Sequence, residues 1–252
     1  MSLPKVIIIS LLFTSLCLNT FSQMIYPETK ALKQVDDYHG VKVDDPYRWL
    51  EDDNSKETKT WVESQNKVTN QFLAQISYKD KVKERLTALW NFDKMSTPFK
   101  KGKLFFSFRN NGLQNQSVFC SQTSLLDNPV VVLDPNTLSD DGTTSLSGMD
   151  ISKDGNYLAY GISKAGSDWV EIHVKDIVSK KDLPDVIKWV KFSGIAWKGN
   201  GFYYSRYDEP SNNKAFTQKN EFHKVYYHTL GKSQAEDELI YEDKAHPDRN
   251  FS

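Results

Sequence analysis

The chain has 252 residues, 38% hydrophobic and 26% charged, with 32 Lys and Arg against 33 Asp and Glu. This is globular composition and excludes a collagen, a disordered tail or a polytopic membrane protein. A net charge of −1 also lacks the basic surplus on which non-specific phosphate binding depends, so nucleic acid is not an expected partner.

Lys5 precedes an uncharged, mostly apolar run from Val6 to Leu18, and Thr20 and Ser22 place small residues at −3 and −1 of a cut before Gln23. The pattern predicts a cleaved secretory signal over residues 1–22 and a secreted or periplasmic mature chain with no membrane association. The apolar run is shorter than the ~20 residues that span a bilayer core. Cleavage also removes Cys17 and leaves Cys120 alone, so no intramolecular disulfide is expected. Beside Val118 and Phe119, Cys120 is expected to be a small buried hydrophobe.

Residues 23–97 begin with a Pro- and Asp-punctuated stretch to about Asp53, which is expected to form an extended arm with short turns. Asp53-Asn54-Ser55 can cap a helix carrying Trp61, Val68, Phe72 and Ile76, and Asp80 can cap a second carrying Val82, Leu86, Leu89 and Trp90. Each helix has one apolar stripe that needs a covering surface. The acid pairs Asp36-Asp37, Asp44-Asp45 and Asp52-Asp53 lack the alternating spacing of a calcium loop and are expected in turns and on solvated surface. His39, His173, His223, His228 and His246 show no metal-ligand spacing, so neither metal nor other cofactor is expected.

From about Lys100 the apolar period turns from helical to alternating, and the sequence repeats. Gly102-Lys103-Leu104-Phe105-Phe106, Gly155-Asn156-Tyr157-Leu158-Ala159 and Gly201-Phe202-Tyr203-Tyr204-Ser205 each read as a turn glycine opening an apolar strand. Ser147-Gly148-Met149-Asp150-Ile151 lies 46 residues before Ser193-Gly194-Ile195-Ala196-Trp197, and Asp154-Gly155 and Asn200-Gly201 are the expected hairpin turns. A third strand follows in each unit, at Ser117–Cys120, Trp169–Val174 and Val225–His228, and then a short edge strand at Val130–Leu133, Val186–Trp189 and Glu238–Tyr241. Four-stranded antiparallel units of this length are the mark of β-propeller blades. The expected fold is therefore mainly β, a partial β-propeller over residues 98–252, with blades near 98–135, 145–190 and 192–243 and the start of a fourth. A plain β-sandwich is the competing fold. A propeller ring takes at least four blades, so the sequence is expected to be part of a longer chain.

No catalytic machinery is visible. There is no G-x-S-x-G elbow and no G-x-x-x-x-G-K-[ST] phosphate loop, and composition alone supports no Ser/His/Asp triad.

Several stretches together resemble the amino-terminal part of the prolyl oligopeptidase family. They are Asp37-Tyr38-His39-Gly40 with Asp45-Pro46-Tyr47-Arg48-Trp49-Leu50-Glu51-Asp52, Glu63-Ser64-Gln65-Asn66-Lys67, Asn111-Gly112-Leu113-Gln114-Asn115-Gln116, Leu138-Ser139-Asp140-Asp141-Gly142-Thr143 and Gly166-Ser167-Asp168-Trp169-Val170. The resemblance implies a serine peptidase that cleaves short peptides after proline, built from a seven-bladed propeller and an α/β-hydrolase domain. On that pattern the arm and helices pack on the hydrolase domain, which carries the catalytic Ser, Asp and His and is absent from this sequence. No catalytic residue is carried over, and these 252 residues alone are expected to be inactive. Two substrate-binding positions are carried over. Phe192, in Val190-Lys191-Phe192-Ser193, matches an aromatic that lines the pocket for the residue two before the proline. Asp168 matches an acid that pairs with a substrate-binding arginine of the hydrolase domain and is expected to be solvated and idle without it. Ser147 departs from the family pattern, where an arginine stands. The implied partners are proline-containing oligopeptides and the hydrolase domain. The alternative from another class is a non-catalytic, propeller-like periplasmic module that binds peptides or protein, and the reading frame beyond Ser252 discriminates the two.

Overall fold

The computed structural model describes residues 24–252 apart from 212–214 and 216–217. The signal proposed for residues 1–22 lies outside the described residues. The chain divides into two compact units with the boundary after Leu86, and no described helix is long and apolar enough to cross a membrane.

In the first unit, strands β1 (Val35–Tyr38) and β2 (Val41–Asp44) form a hairpin. Its two-residue turn, His39-Gly40, has both φ angles positive, at 56° and 90°, as a turn matched to strand twist requires. Arg48 opens a short 3-10 helix (Arg48–Glu51) and gathers Asp36, Asp45 and Glu51 around its guanidinium. Two of the acids expected on solvated surface, Asp36 and Asp45, are thus half-buried ion-pair partners. Helix α1 (Lys56–Ala74) starts where expected, with Ser55 Oγ accepting from the Thr58 N–H at 3.1 Å. The arm lies along it: Trp61 Nε1 donates to Thr29 Oγ1 at 3.0 Å, and Gln65 Nε2 to the Pro27 carbonyl at 3.3 Å. Ile76, assigned to this helix from its spacing, falls just beyond its end. Helix α2 (Lys79–Trp90), whose last four residues belong to the second unit, begins one residue before Asp80, which sits in the first turn rather than at the cap and there still complements the positive helix end. The α2 stripe of Val82, Leu86, Leu89 and Trp90 is exposed.

The second unit holds the blades. In the first, β3 (Lys94–Met95) and β4 (Phe99–Lys101) both pair with β5 (Leu104–Asn110), followed by β6 (Val118–Gln122) and β7 (Val130–Leu133). Pro98 separates the two short inner strands, since it has no N–H for the ladder. The second blade runs β8 (Thr144–Ile151), β9 (Tyr157–Lys164), β10 (Val170–Asp176) and β11 (Asp182–Val190). The third runs β12 (Ala196–Lys198), β13 (Gly201–Arg206), β14 (Lys224–Thr229) and β15 (Glu238–Glu242). A single pairing, Val190 with Arg206, links β11 to β13 and joins these two blades into one sheet. The sheets do not close, as expected of part of a propeller.

The alternation along β9 accounts for the packing. Leu158, Tyr160 and Ile162 face the first blade, in a core with Phe106, Phe119 and Leu133, whereas Ala159 faces the third, with Ile172, Ile187, Phe202 and Tyr204. The middle blade therefore buries both faces, which is why its strands read as nearly continuous apolar runs.

The repeat holds with one shift. Ile151 pairs with Leu158 but Trp197 pairs with Phe202, so the third blade's turn is two residues tighter than the second's. The turn glycine is Gly199 (φ +59°), matching Gly155 (φ +81°) and Gly102 (φ +56°). Gly201, expected in the turn, is instead the first residue of β13, paired with Thr229, and a Cβ there would stand 2.0 Å from the His228 carbonyl oxygen. Gly102 and Gly155 face one another across the first two blades: a Cβ on Gly102 would meet the Asp154 carbonyl oxygen at 2.0 Å.

Three register shifts interrupt the middle blade; one, between His173/Val186 and Lys175/Asp182, adds two residues on the β11 side near its start, and the other two lie towards the opposite end. Between Leu146/Ile162 and Met149/Tyr160 the β8 side carries one extra residue, at Ser147-Gly148 with Gly148 at φ +82°. Between Val170/Val190 and Ile172/Ile187 the β11 side carries one extra, at Lys188-Trp189 with Trp189 at φ +61°. The strand expected at Val186–Trp189 is thereby nine residues long rather than a short edge. Between the Gly148 and Trp189 bulges, Gly161 pairs with Ile172, and a Cβ on it would come within 2.4 Å of the Ser147 carbonyl oxygen.

Candidate functional site

Asp168 and Phe192 come from different connections and end at the same edge of the middle blade. Asp168 and Trp169 close the hairpin between β9 and β10, while Lys191 and Phe192 follow the last residue of β11; Val170 pairs with Val190, so the two segments lie side by side. Gly166, at φ +73°, turns the hairpin back.

Phe192 is 51% exposed and sits at φ +54°, a left-handed conformation costly for a bulky side chain. Asp168 keeps most of its side chain in solvent, but it is not alone: Lys191 Nζ lies 3.7 Å from Asp168 Oδ2. The same ammonium stands 5.0 Å from the Trp169 ring centroid and 5.3 Å from that of Phe192. Lys191 thus connects the two positions carried over from the family pattern, although no motif singled it out.

The bulge at Lys188-Trp189 adds a second aromatic wall. Trp189 meets Trp169 edge to face, with centroids 5.5 Å apart and planes at 85°. Together with Ile162, Ser167 and Val170 they line a cavity of about 290 Å³, with Lys164, Glu171 and Lys188 also on its walls. On the far side of Trp169 lies a second cavity of about 240 Å³, bounded by Tyr207, Pro210 and Phe222 among others. Trp169 is fixed between them by donating from Nε1 to the Ala215 carbonyl at 2.8 Å. Behind it Tyr207 stacks on His223 at 4.4 Å. Burial holds the His223 value below that of an ordinary histidine, and its Nδ1 accepts from the Phe251 N–H at 2.9 Å, as the neutral ring can.

Around Phe192 this surface offers aromatic and apolar contact with one nearly buried cation and one exposed carboxylate, while Lys164, Lys188 and Glu171 stand on the walls of the adjoining cavity. That suits recognition of an uncharged or weakly polar chain rather than proton transfer. The titratable cluster elsewhere in the blades is no catalytic dyad either. His228 has both ring nitrogens occupied by carboxylates, Asp237 at 2.7 Å and Asp185 at 2.9 Å, and all three side chains are buried. No nitrogen is left to serve a nucleophile. Among the described residues no group of three or more His, Cys, Asp or Glu could hold a metal ion. Ser147, where the family pattern has arginine, lies in the β8 bulge. Cys120 is buried and free, and burial pushes its thiol up.

Residues 26–252 match the family model of the prolyl oligopeptidase N-terminal β-propeller domain. A prolyl endopeptidase of Elizabethkingia miricola is 43% identical over 241 residues, covering 95% of this chain and 34% of that protein. A prolyl endopeptidase of Elizabethkingia meningoseptica is 47% identical over 216 residues, 85% of this chain and 30% of the relative. Among solved structures, prolyl oligopeptidase B from Galerina marginata bound to a 35mer hydrolysis and macrocyclization substrate superposes with a TM-score of 0.75 at 32% identity, covering 91% of this chain and 35% of that one. The chain spans about a third of the length of the relatives it matches. Blade repeat, open sheets and sequence similarity agree: this chain belongs to the prolyl oligopeptidase family, of which it represents the N-terminal β-propeller portion.

Proposed function

We propose that this chain is the substrate-facing, non-catalytic portion of a secreted or periplasmic serine-type prolyl endopeptidase. In the whole protein, bonds following proline in short peptides are hydrolysed by acyl transfer through a serine, with a histidine base and an oxyanion hole. On this reading those groups lie in the remainder of the protein, since the chain spans 34% of the Elizabethkingia miricola relative. The blades contribute restriction of access and apolar contact. The observation that carries this reading is the exposed Phe192 ring beside Trp169 and Lys191, in a chain 43% identical over nearly its whole length to a prolyl endopeptidase.

The test has two arms. The 252-residue chain should give no turnover of a Gly-Pro chromogenic peptide above a buffer blank, whereas a product extended by an α/β-hydrolase portion should cleave it. Turnover by the chain alone would overturn the assignment. Binding of a proline-containing peptide to the chain, weakened by F192A, is the second arm. For export, the amino terminus of the secreted product should be Gln23.

A further inference from the structure

Lys191 follows Val190, the end of β11, and is 9% exposed. In a continuing strand residues 191 and 192 would point to opposite faces. The left-handed φ of +54° at Phe192 breaks that alternation, and both side chains finish on one side, with Nζ 5.3 Å from the Phe192 ring centroid. The ammonium also stands 5.0 Å from the Trp169 centroid. Its carboxylate partner is Asp168 at 3.7 Å, whose side chain is 70% exposed against 11% for Lys191. A nearly buried cation is thus held by two ring faces and one solvent-facing carboxylate. Without it, the aromatic surface would carry the negative charge of Asp168 uncompensated.

We propose that Lys191 is a positioning and specificity-determining residue of the peptide-facing surface. It holds the Phe192 ring in place and neutralises Asp168, so that the surface takes an apolar side chain of the peptide and refuses a cationic one. This rests on the peptide-binding reading of Phe192, and it adds the class of side chain accepted and the residue that sets it. The cation–π contacts orient the ring because each falls within the range where a quadrupole attracts an ammonium. The charge balance sets selectivity, because a lone carboxylate beside an aromatic face is a favourable place for Lys or Arg.

The experiment compares binding to the 252-residue chain of two otherwise identical proline peptides carrying Phe or Lys two residues before the proline, by calorimetry. The wild-type chain should prefer the Phe peptide by about tenfold. K191M should bring the two affinities to within about threefold, chiefly by improving the Lys peptide, and K191R should keep the wild-type preference. D168N, at an exposed position, should widen the preference by leaving the Lys191 charge uncompensated. An unchanged ratio in both K191M and D168N overturns the proposal while leaving the peptide reading intact if F192A still weakens binding. Should K191M fail to fold, D168N alone decides in the same way. A measurement that needs no peptide decides the positioning part: the Lys191 Hε proton resonances should be shifted upfield by ring currents and should move towards their ordinary position in F192A. An unshifted Lys191 overturns the proposal even if neither peptide binds, an outcome that would separately sink the peptide-binding reading.

Discussion

His228 Nε2, on β14 of the third blade, lies 2.9 Å from Asp185 Oδ1, on β11 of the second, and both side chains are fully buried. Asp237 Oδ1 closes the other side of the ring at 2.7 Å. Tyr204 donates to Asp237 at 2.7 Å and the Gly231 N–H to Asp185 at 2.6 Å, while the Phe202 ring packs against the imidazole at 5.3 Å. With a carboxylate at each nitrogen both ring N–H groups donate, which is the geometry of the imidazolium. Two blades, whose strands share the single backbone pairing of Val190 with Arg206, are thus also tied by a buried ion network.

The first prediction concerns pH. Burial opposes charge on His228, but the hydrogen bonds to Asp237 and Asp185 outweigh it and raise its value. A raised folded value means that the contribution is complete below the ordinary histidine value of about 6.5 and fades as pH climbs through the folded one. Melting temperature of the wild-type chain should therefore fall from pH 6 towards the alkaline side, and H228Q should flatten that slope. Breaking the network should cost about 3–5 kcal/mol at pH 6, because two buried carboxylates lose their counter-charge. An H228Q chain with the wild-type pH slope would exclude this origin.

Gly102 provides the second. Alanine there would place a Cβ 2.0 Å from the Asp154 carbonyl oxygen at a φ of +56°, a backbone clash combined with left-handed strain. G102A should lose about 2 kcal/mol or more in urea unfolding. Gly194 is the control, since a Cβ there would meet no atom within 4 Å and its φ is not left-handed. G194A should stay within about 0.5 kcal/mol of wild type or gain slightly. Equal losses at the two positions would refute the close-approach explanation.

Phe119 is the third. It is fully buried, with its ring 5.5 Å from Phe106 and 5.0 Å from Phe108, at the centre of the core between the first two blades. F119A should cost about 3–5 kcal/mol. F119L, which keeps most of the volume, should cost less than half of that by the same denaturant measurement.

The fourth lies in the first unit. Ser55 Oγ caps α1 by accepting from Thr58 N–H and also hydrogen-bonds the Thr58 hydroxyl at 2.9 Å. S55A should remove about 1 kcal/mol, and S55D should recover most of it because a carboxylate also suits the positive helix end. Helical circular dichroism on heating reads both; full recovery by Gly alone would point away from the side-chain cap.

Much of the architecture was legible because blades repeat. Glycine-led turns, alternating runs and the Ser55 cap are local, and each announces itself within a few residues. The third blade's turn shows the limit: Asn200-Gly201 resembles a hairpin turn, but the choice between Gly199 and Gly201 depends on which one lies against the His228 carbonyl, a contact made 27 residues away. The His228 network was invisible for the same reason, since Asp185 is 43 residues distant. Lys191 was hidden differently. Its role comes from a left-handed phenylalanine beside it and a bulge with a left-handed tryptophan before it, and neither residue type signals such a backbone. Phe192 and Asp168 were found by resemblance, whereas what joins them required geometry.

Two of the three register shifts fall on one line with Gly161 across the middle blade, from Ser147-Gly148 through Gly161 to Lys188-Trp189. Ladder hydrogen bonds are interrupted there on both flanking strands, which sections the blade mechanically. Amides on the side of Leu158 and Ala159, one in each core and in unbroken register with β8 and β10, should exchange with solvent only on global unfolding. Those on the side of Ser163, Trp169 and Val190 can open by a local excursion of lower free energy. The blade is in effect a rigid root carrying a compliant tip, and the tip is the part that bears Asp168, Lys191 and Phe192.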